Sequence, residues 1–266
     1  MTDRSTGVLV RADRAEIYYE SIGRGPTVVL AHGLGGNASV WFQQVPVLAR
    51  THRVVVFDQR GFGRSTVGSG GPGPATAGTD LLALLDHLEV ERADLVGQSM
   101  GGWAVLGAAL EAPHRVRSVV LACTTGGIPP RGVEPLDVAL LDGPRTPRPL
   151  GEHPAVGERL ARVDPARAYL YQTLGSFGRR PDDAWFVREL VAHTFEPEAL
   201  ARLTIPVLLL CAEHDLLMSP ARIRDAAEQL PRSRVVEFAD RGHSPYFEDP
   251  DAWNEAVLTF LHEVAS

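Results

Sequence analysis

Six short apolar runs rich in β-branched residues recur along this chain: Thr27–Ala31, Arg53–Phe57, Asp94–Gly97, Ser118–Ala122, Pro206–Cys211 and Arg234–Phe238. Runs that stay apolar throughout, without alternating, suit strands buried on both faces of a parallel sheet. Helical patterns separate them. Thr79–Glu89 places leucines at 81, 82, 84, 85 and 88 behind a Thr suited to capping, and Met100–Glu111, Pro220–Leu230 and Asp251–Val264 are also helix-like. Strand alternating with helix predicts an α/β fold with a mostly parallel, doubly wound sheet. Val8–Ala12 and Glu16–Glu20 flank the turn-like Asp13-Arg14 and predict an antiparallel hairpin at one edge.

Two stretches interrupt this rhythm. Val67–Gly78 is rich in Gly and Pro and reads as a surface loop. Gly126–Leu200 holds 10 of the 20 prolines and no clear buried strand. It carries Tyr169, Tyr171, Phe177, Trp185, Phe186 and Phe195, and predicts a small helical lid with an aromatic underside. The expected organisation is therefore a core made of residues 1–125 and 201–266, with a lid insertion over 126–200.

Composition narrows the chemistry. All 26 basic residues are arginine. Without lysine there is no Schiff-base catalysis and no P-loop lysine. The net charge of -7 is spread along the chain and argues against a nucleic-acid partner. No apolar run reaches the roughly 18 residues of a membrane span, and the polar start, Met1–Gly7, lacks the pattern of a secretory signal. Cys123 and Cys211 are too few for a disulfide scaffold or a four-thiolate metal site. These features lead us to expect a cytoplasmic protein with no metal.

Gly97-Gln98-Ser99-Met100-Gly101 fits G-x-S-x-G, with a strand leading in and a helix leading out. A sharp strand-to-helix turn crowds its neighbours, and Gly97, Gly101 and Gly102 relieve that crowding while Ser99 is lifted to the helix N-terminus. A serine hydroxyl needs a base. His243, in the loop after the last predicted strand, follows Gly242 and is the candidate; His262 falls in the terminal helix. The base needs an acid to set its tautomer. Glu213 and Asp215 both follow the strand Pro206–Cys211, and Asp215, farther into the loop, is preferred.

With these motifs together, the chain resembles the α/β-hydrolase superfamily over nearly its whole length, and small bacterial esterases and enol-lactonases of the 3-oxoadipate type within it. The order Ser99, Asp215, His243 is that of the fold. His32-Gly33-Leu34-Gly35-Gly36 is similar to the family's oxyanion loop, which implies that the Leu34 and Met100 amides form the oxyanion hole. Asp58–Ser65 is similar to the D-x-R-G-x-G-x-S turn, and Arg241–Pro250 to the C-terminal histidine segment. The resemblance implies cofactor-free hydrolysis of a carboxylic ester or lactone in a small-molecule substrate. Retro-Claisen C–C hydrolysis with the same triad is the first alternative, and a non-catalytic receptor on this fold the second. Arg131, Arg145, Arg148, Arg179 and Arg180 in the insertion are candidates for binding a substrate carboxylate.

Overall fold

The computed structural model describes residues 3–71, 73–134, 149–181 and 183–266. Eight strands form one sheet: β1 (Arg4–Val10), β2 (Glu16–Ile22), β3 (Thr27–Ala31), β4 (Arg53–Phe57), β5 (Ala93–Gln98), β6 (Val116–Ala122), β7 (Val207–Ala212) and β8 (Ser233–Phe238). Their order is β1-β2-β4-β3-β5-β6-β7-β8. β2 pairs antiparallel with both β1 and β4, and every other pairing is parallel. The hairpin, the six strands and the α/β class are as the sequence predicts; strand ends move by one or two residues except at β1, which starts four residues earlier, and β8 is an edge strand in which only Phe238 is buried.

Between and after the strands lie α1 (Val45–Leu48), α2 (Pro74–His87), α3 (Gly101–Glu111), α4 (Glu158–Val163), α5 (Pro165–Gly175), α6 (Asp183–Ala192), α7 (Pro197–Ala201), α8 (Pro220–Ala227), α9 (Pro245–Glu248) and α10 (Pro250–Ala265). Alternate strand residues feed two separate apolar cores. Val29, Val55, Leu95, Val119 and Leu209 face one side with α2, α3 and α8. Val28, Val54, Val96, Val120 and Leu208 face the other with α10, whose Trp253, Val257, Phe260 and Leu261 are buried there. Burial on both faces is why these strands read as continuous apolar runs.

One boundary is corrected. α2 starts at Pro74, so the predicted loop Val67–Gly78 is shorter, and Thr79 lies inside the helix with its hydroxyl on Thr76 O at 2.9 Å. Proline at the first helical turn costs no hydrogen bond, because that N–H has no intrahelical partner anyway.

Between β6 and β7 the described residues of this segment carry α4 to α7. Its aromatics divide. Phe186 is buried in the core and Phe195 packs against it, Tyr171 packs on the opposite core, while Tyr169, Phe177 and Trp185 are exposed. No helix among the described residues is long and apolar enough to cross a membrane.

The strand order contains one reversal. β4 lies to one side of β3, and the next strand, β5, lies on its other side. Loops leaving the carboxyl ends of β3 and β5 diverge there and open a crevice, the position where open α/β sheets bind ligands.

Candidate active site

Ser99 sits at that crevice. It has φ +49°, a left-handed conformation that costs a non-glycine residue on the order of 1–3 kcal/mol. Its N–H donates to Ala122 O on the neighbouring strand (3.0 Å), and its carbonyl accepts from Gly102 N (2.9 Å), the start of α3. The glycines around it are required by space. A Cβ on Gly97 would collide with the Gly101 carbonyl, one on Gly101 with the Ala31 carbonyl, and one on Gly102 would stand 2.6 Å from the Thr124 hydroxyl. The turn therefore holds the serine in a strained, partly exposed position above buried backbone.

The loop after β3 comes alongside. A Cβ on Gly33 would lie 3.2 Å from Ser99 Cβ. Buried His32 shapes this loop. Gln59 N–H donates to His32 Nε2 (3.0 Å), so the ring proton is on Nδ1, which donates to Gly33 O (2.8 Å). Burial pushes the His32 pKa down and keeps the ring neutral. Gly36 N–H closes the turn onto Gly33 O at 3.1 Å. Among the described residues neither the Leu34 N–H nor the Met100 N–H has an acceptor in the protein, so both are available to a ligand.

His243 and Asp215 meet across the loops after β8 and β7. Nδ1 of His243 lies 2.8 Å from Asp215 Oδ2 and 3.0 Å from Oδ1, and both side chains are almost fully buried. Asp215 Oδ1 also accepts the Leu217 and Met218 N–H groups, each at 2.8 Å. A carboxylate already holding two backbone donors can only accept from the ring. Nδ1 therefore carries the proton, and the Nε2 lone pair is left to act as a base. The rival acid, Glu213, is exposed and accepts from Asp240 N at 2.9 Å instead. His262, set aside from the sequence, stacks on His52 at 6.4 Å in α10.

Gln98 joins the three loops. Its Nε2 donates to His243 O (3.3 Å), and its Oε1 occupies the space beside Gly33. Two clefts flank the site and meet at Trp103. One of about 530 Å³ is lined by Thr125, Ile128, Val191 and Met218, the other of about 370 Å³ by Gln59, Phe62, Met100 and Phe186.

A match to the sequence profile of the Alpha/beta hydrolase family spans residues 28–256. The chain belongs to this family. The hydrolase is 30% identical over 259 residues to a putative carbamate hydrolase, RutD, of Azorhizobium caulinodans, covering 94% of this chain and 96% of the relative. It is 29% identical to the putative non-heme bromoperoxidase BpoC of Mycobacterium tuberculosis, over 92% of this chain and 97% of the other. Among solved structures, the enol-lactonase of Burkholderia xenovorans superposes with a TM-score of 0.77 at 25% identity, covering 96% of this chain and all of that one.

Three residues around the hydrolase's site escaped sequence reading. Gln98 was only the variable position of a motif, although a polar residue at the end of a buried strand is itself a signal. Glu248 is buried in α9, and its Oε1 accepts from Gly242 N, beside His243, at 3.0 Å. Cys123, at φ +49° after β6, brings its thiol within 4.8 Å of the paired Asp215 and His243 atoms. Those are the groups that a soft metal ion would need, but Asp215 and His243 already satisfy each other. Burial pushes the Cys123 thiol well up, which favours its neutral form.

Proposed function

We propose that this hydrolase cleaves a carboxylic ester or lactone of a small organic substrate with water, through an acyl-enzyme on Ser99. The observation that carries the reading is the paired His243 and Asp215 on the loops beside a serine strained into the left-handed region. Nε2 of His243 takes the Ser99 proton as Oγ attacks the carbonyl carbon. The oxyanion forms against the Leu34 and Met100 amides, where one donor is worth on the order of 10²–10³ in rate. The C–O bond breaks, and the leaving alcohol or enolate takes the proton from His243. A water then gives a proton to Nε2 as it attacks the acyl carbon, the bond from that carbon to Oγ breaks, and Oγ takes the proton back from His243 as the acid leaves. None of these steps calls for a metal or cofactor. We assign residues 126–200 the role of a lid over this site. The two buried free thiols, Cys123 and Cys211, suit the reducing cytoplasm.

A carbamate is the second reading, favoured by the RutD relatives. Its carbonyl is attacked in the same way, with an amine nitrogen where the ester has carbon. The test is a panel of p-nitrophenyl esters, simple lactones, carbamates and β-diketones against wild type and Ser99→Ala. We expect turnover of esters or lactones and its loss in Ser99→Ala by about 10⁶ in kcat. Carbamate turnover alone selects the second reading, and β-diketone turnover alone selects C–C hydrolysis. Tight binding with no turnover of any class would mean a receptor.

A further inference from the structure

Of the five insertion arginines, Arg131 is exposed, Arg179 holds the Gly63 and Arg64 backbone, Arg180 is already partnered, and Arg145 and Arg148 lie outside the described residues. The polar group that the reaction leaves unused beside the triad is a thiol. Cys123 follows β6 directly and is fully buried. Its φ of +49° is left-handed, a conformation that a side chain makes costly and that surrounding contacts must impose. Those contacts come from both sides. The Cys123 N–H donates to Leu210 O on β7 at 2.8 Å, and the carbonyl of Ala122, one residue earlier, accepts from Ser99 N at 3.0 Å. The backbone that carries the thiol is therefore pinned between the serine turn and the strand that leads to Asp215. The thiol sulfur, an oxygen of Asp215 and a ring nitrogen of His243 all lie within 4.8 Å of one another.

Asp215 has a place for this donor. A carboxylate offers about four lone-pair directions. Oδ1 is taken by the Leu217 and Met218 N–H groups, each at 2.8 Å. Among the described residues, the only N–H that reaches Oδ2 is that of the His243 ring, at 2.8 Å. The Asp215 side chain exposes no surface, so bulk water does not supply the remaining donor, and buried polar groups are rarely left short of one. Burial keeps the Cys123 thiol protonated, and a hydrogen bond to Asp215 acts in the same direction. A protonated thiol is a donor, though weaker than a hydroxyl. The other buried thiol, Cys211 on β7, faces Glu237 instead.

We propose that Cys123 is a positioning residue that donates its S–H to Oδ2 of Asp215 and so completes the donor set orienting the carboxylate toward His243. This rests on the acyl-transfer reading of the same site. The test uses wild type, Cys123→Ala, Cys123→Ser and, as a control, Cys211→Ala. On the p-nitrophenyl ester that wild type turns over best, Cys123→Ala should lose about 10-fold in kcat, the lower end for a hydrogen bond to a charged group. KM should stay unchanged, because the thiol touches no substrate. Cys123→Ser keeps a donor and should recover most of the loss, and Cys211→Ala should match wild type. A second readout needs no turnover. The proton between His243 Nδ1 and Asp215 gives a far-downfield NMR resonance in the resting protein, assigned by its absence in His243→Gln. In Cys123→Ala that resonance should move further downfield, because Oδ2, relieved of one donor, accepts more strongly from the ring. In Cys123→Ser it should lie near the wild-type position. Equal kcat losses in Cys123→Ala and Cys123→Ser, or in Cys123→Ala and Cys211→Ala, would mean that the sulfur only fills space and would overturn the assignment. A resonance unmoved in Cys123→Ala overturns it whatever the turnover. A resonance that moves in Cys123→Ala and returns in Cys123→Ser, in a protein that turns over no ester, upholds the thiol's role and fails only the acyl-transfer reading.

Discussion

At the scale of single residues, chemistry and burial decide between candidates that sequence leaves close together. Asp215 and Glu213 sit two positions apart on one loop, yet only Asp215 reaches His243, at 2.8 Å, while Glu213 holds Asp240 N. Asp215→Asn should fold normally, because an amide oxygen can still accept from Leu217 and Met218. It should nonetheless lose about 10⁴ in kcat, as the same change does in the serine-protease triad, or about 5 kcal/mol at 1.36 per tenfold. Glu213→Gln, able to accept from Asp240 in the same way, should keep near wild-type kcat. Steady-state kinetics of both variants on one substrate checks the pair. Equal effects, or a change confined to KM for Asp215→Asn, would remove Asp215 from its role. The loops that carry Ser99, His243 and Asp215 were legible in the sequence because each follows a predicted strand. Gln98 was not, since a glutamine has no local signature and gains its place only from where distant loops fall.

At the scale of elements, the central strands were legible because burial on both faces leaves few polar positions, whereas helix starts were obscured by Pro and Gly with packing roles. Gly78, assigned to a loop from sequence, lies inside α2 because α2 presses on α3. A Cβ there would stand 2.9 Å from the backbone of Gly107 and Ala108. Gly107 itself, on α3, has only ordinary contacts, the nearest being the Phe195 ring at 3.4 Å. The two glycines in one interface should therefore respond oppositely to alanine. Gly78→Ala should lose about 1–3 kcal/mol by overpacking against backbone that cannot move aside. Gly107→Ala should be neutral or gain up to about 0.5–1 kcal/mol from the helix interior. Thermal or urea unfolding of both variants measures the contrast. Equal loss in the two would mean that the helices are held apart by other contacts and that Gly78 is not the limiting position.

At the scale of the whole molecule, the insertion and the histidine loop are joined through a buried carboxyl group. Glu248 Oε1 accepts from Gly242 N, and Oε2 would lie 3.1 Å from a Cβ built on Gly157, at the start of α4. Gly157 and Gly242 are themselves in backbone contact, so a side chain on α9 sits where the insertion meets the loop carrying His243. This junction could not be read from sequence, because its three members are separated by up to about ninety positions. Burial pushes the Glu248 pKa up, outweighing the backbone N–H groups and Arg241, which act to lower it. The sign of the consequence follows from linkage. A carboxyl group with a raised folded pKa favours the folded state when protonated. That contribution is fully present below its ordinary value of about 4.5, and it is lost as pH rises through the higher folded value. Glu248→Gln carries no titrating proton, and its carbonyl can still accept from Gly242. Whatever offset the amide brings at acid pH, the difference in Tm between Glu248→Gln and wild type should move in favour of the variant as pH rises from about 4 to 8. Scanning calorimetry across that range reads the difference directly. A difference that stays flat, or that moves against the variant with rising pH, would mean that the donors around Glu248 stabilise its ionised form more than burial opposes it, and the junction would then be held by charge.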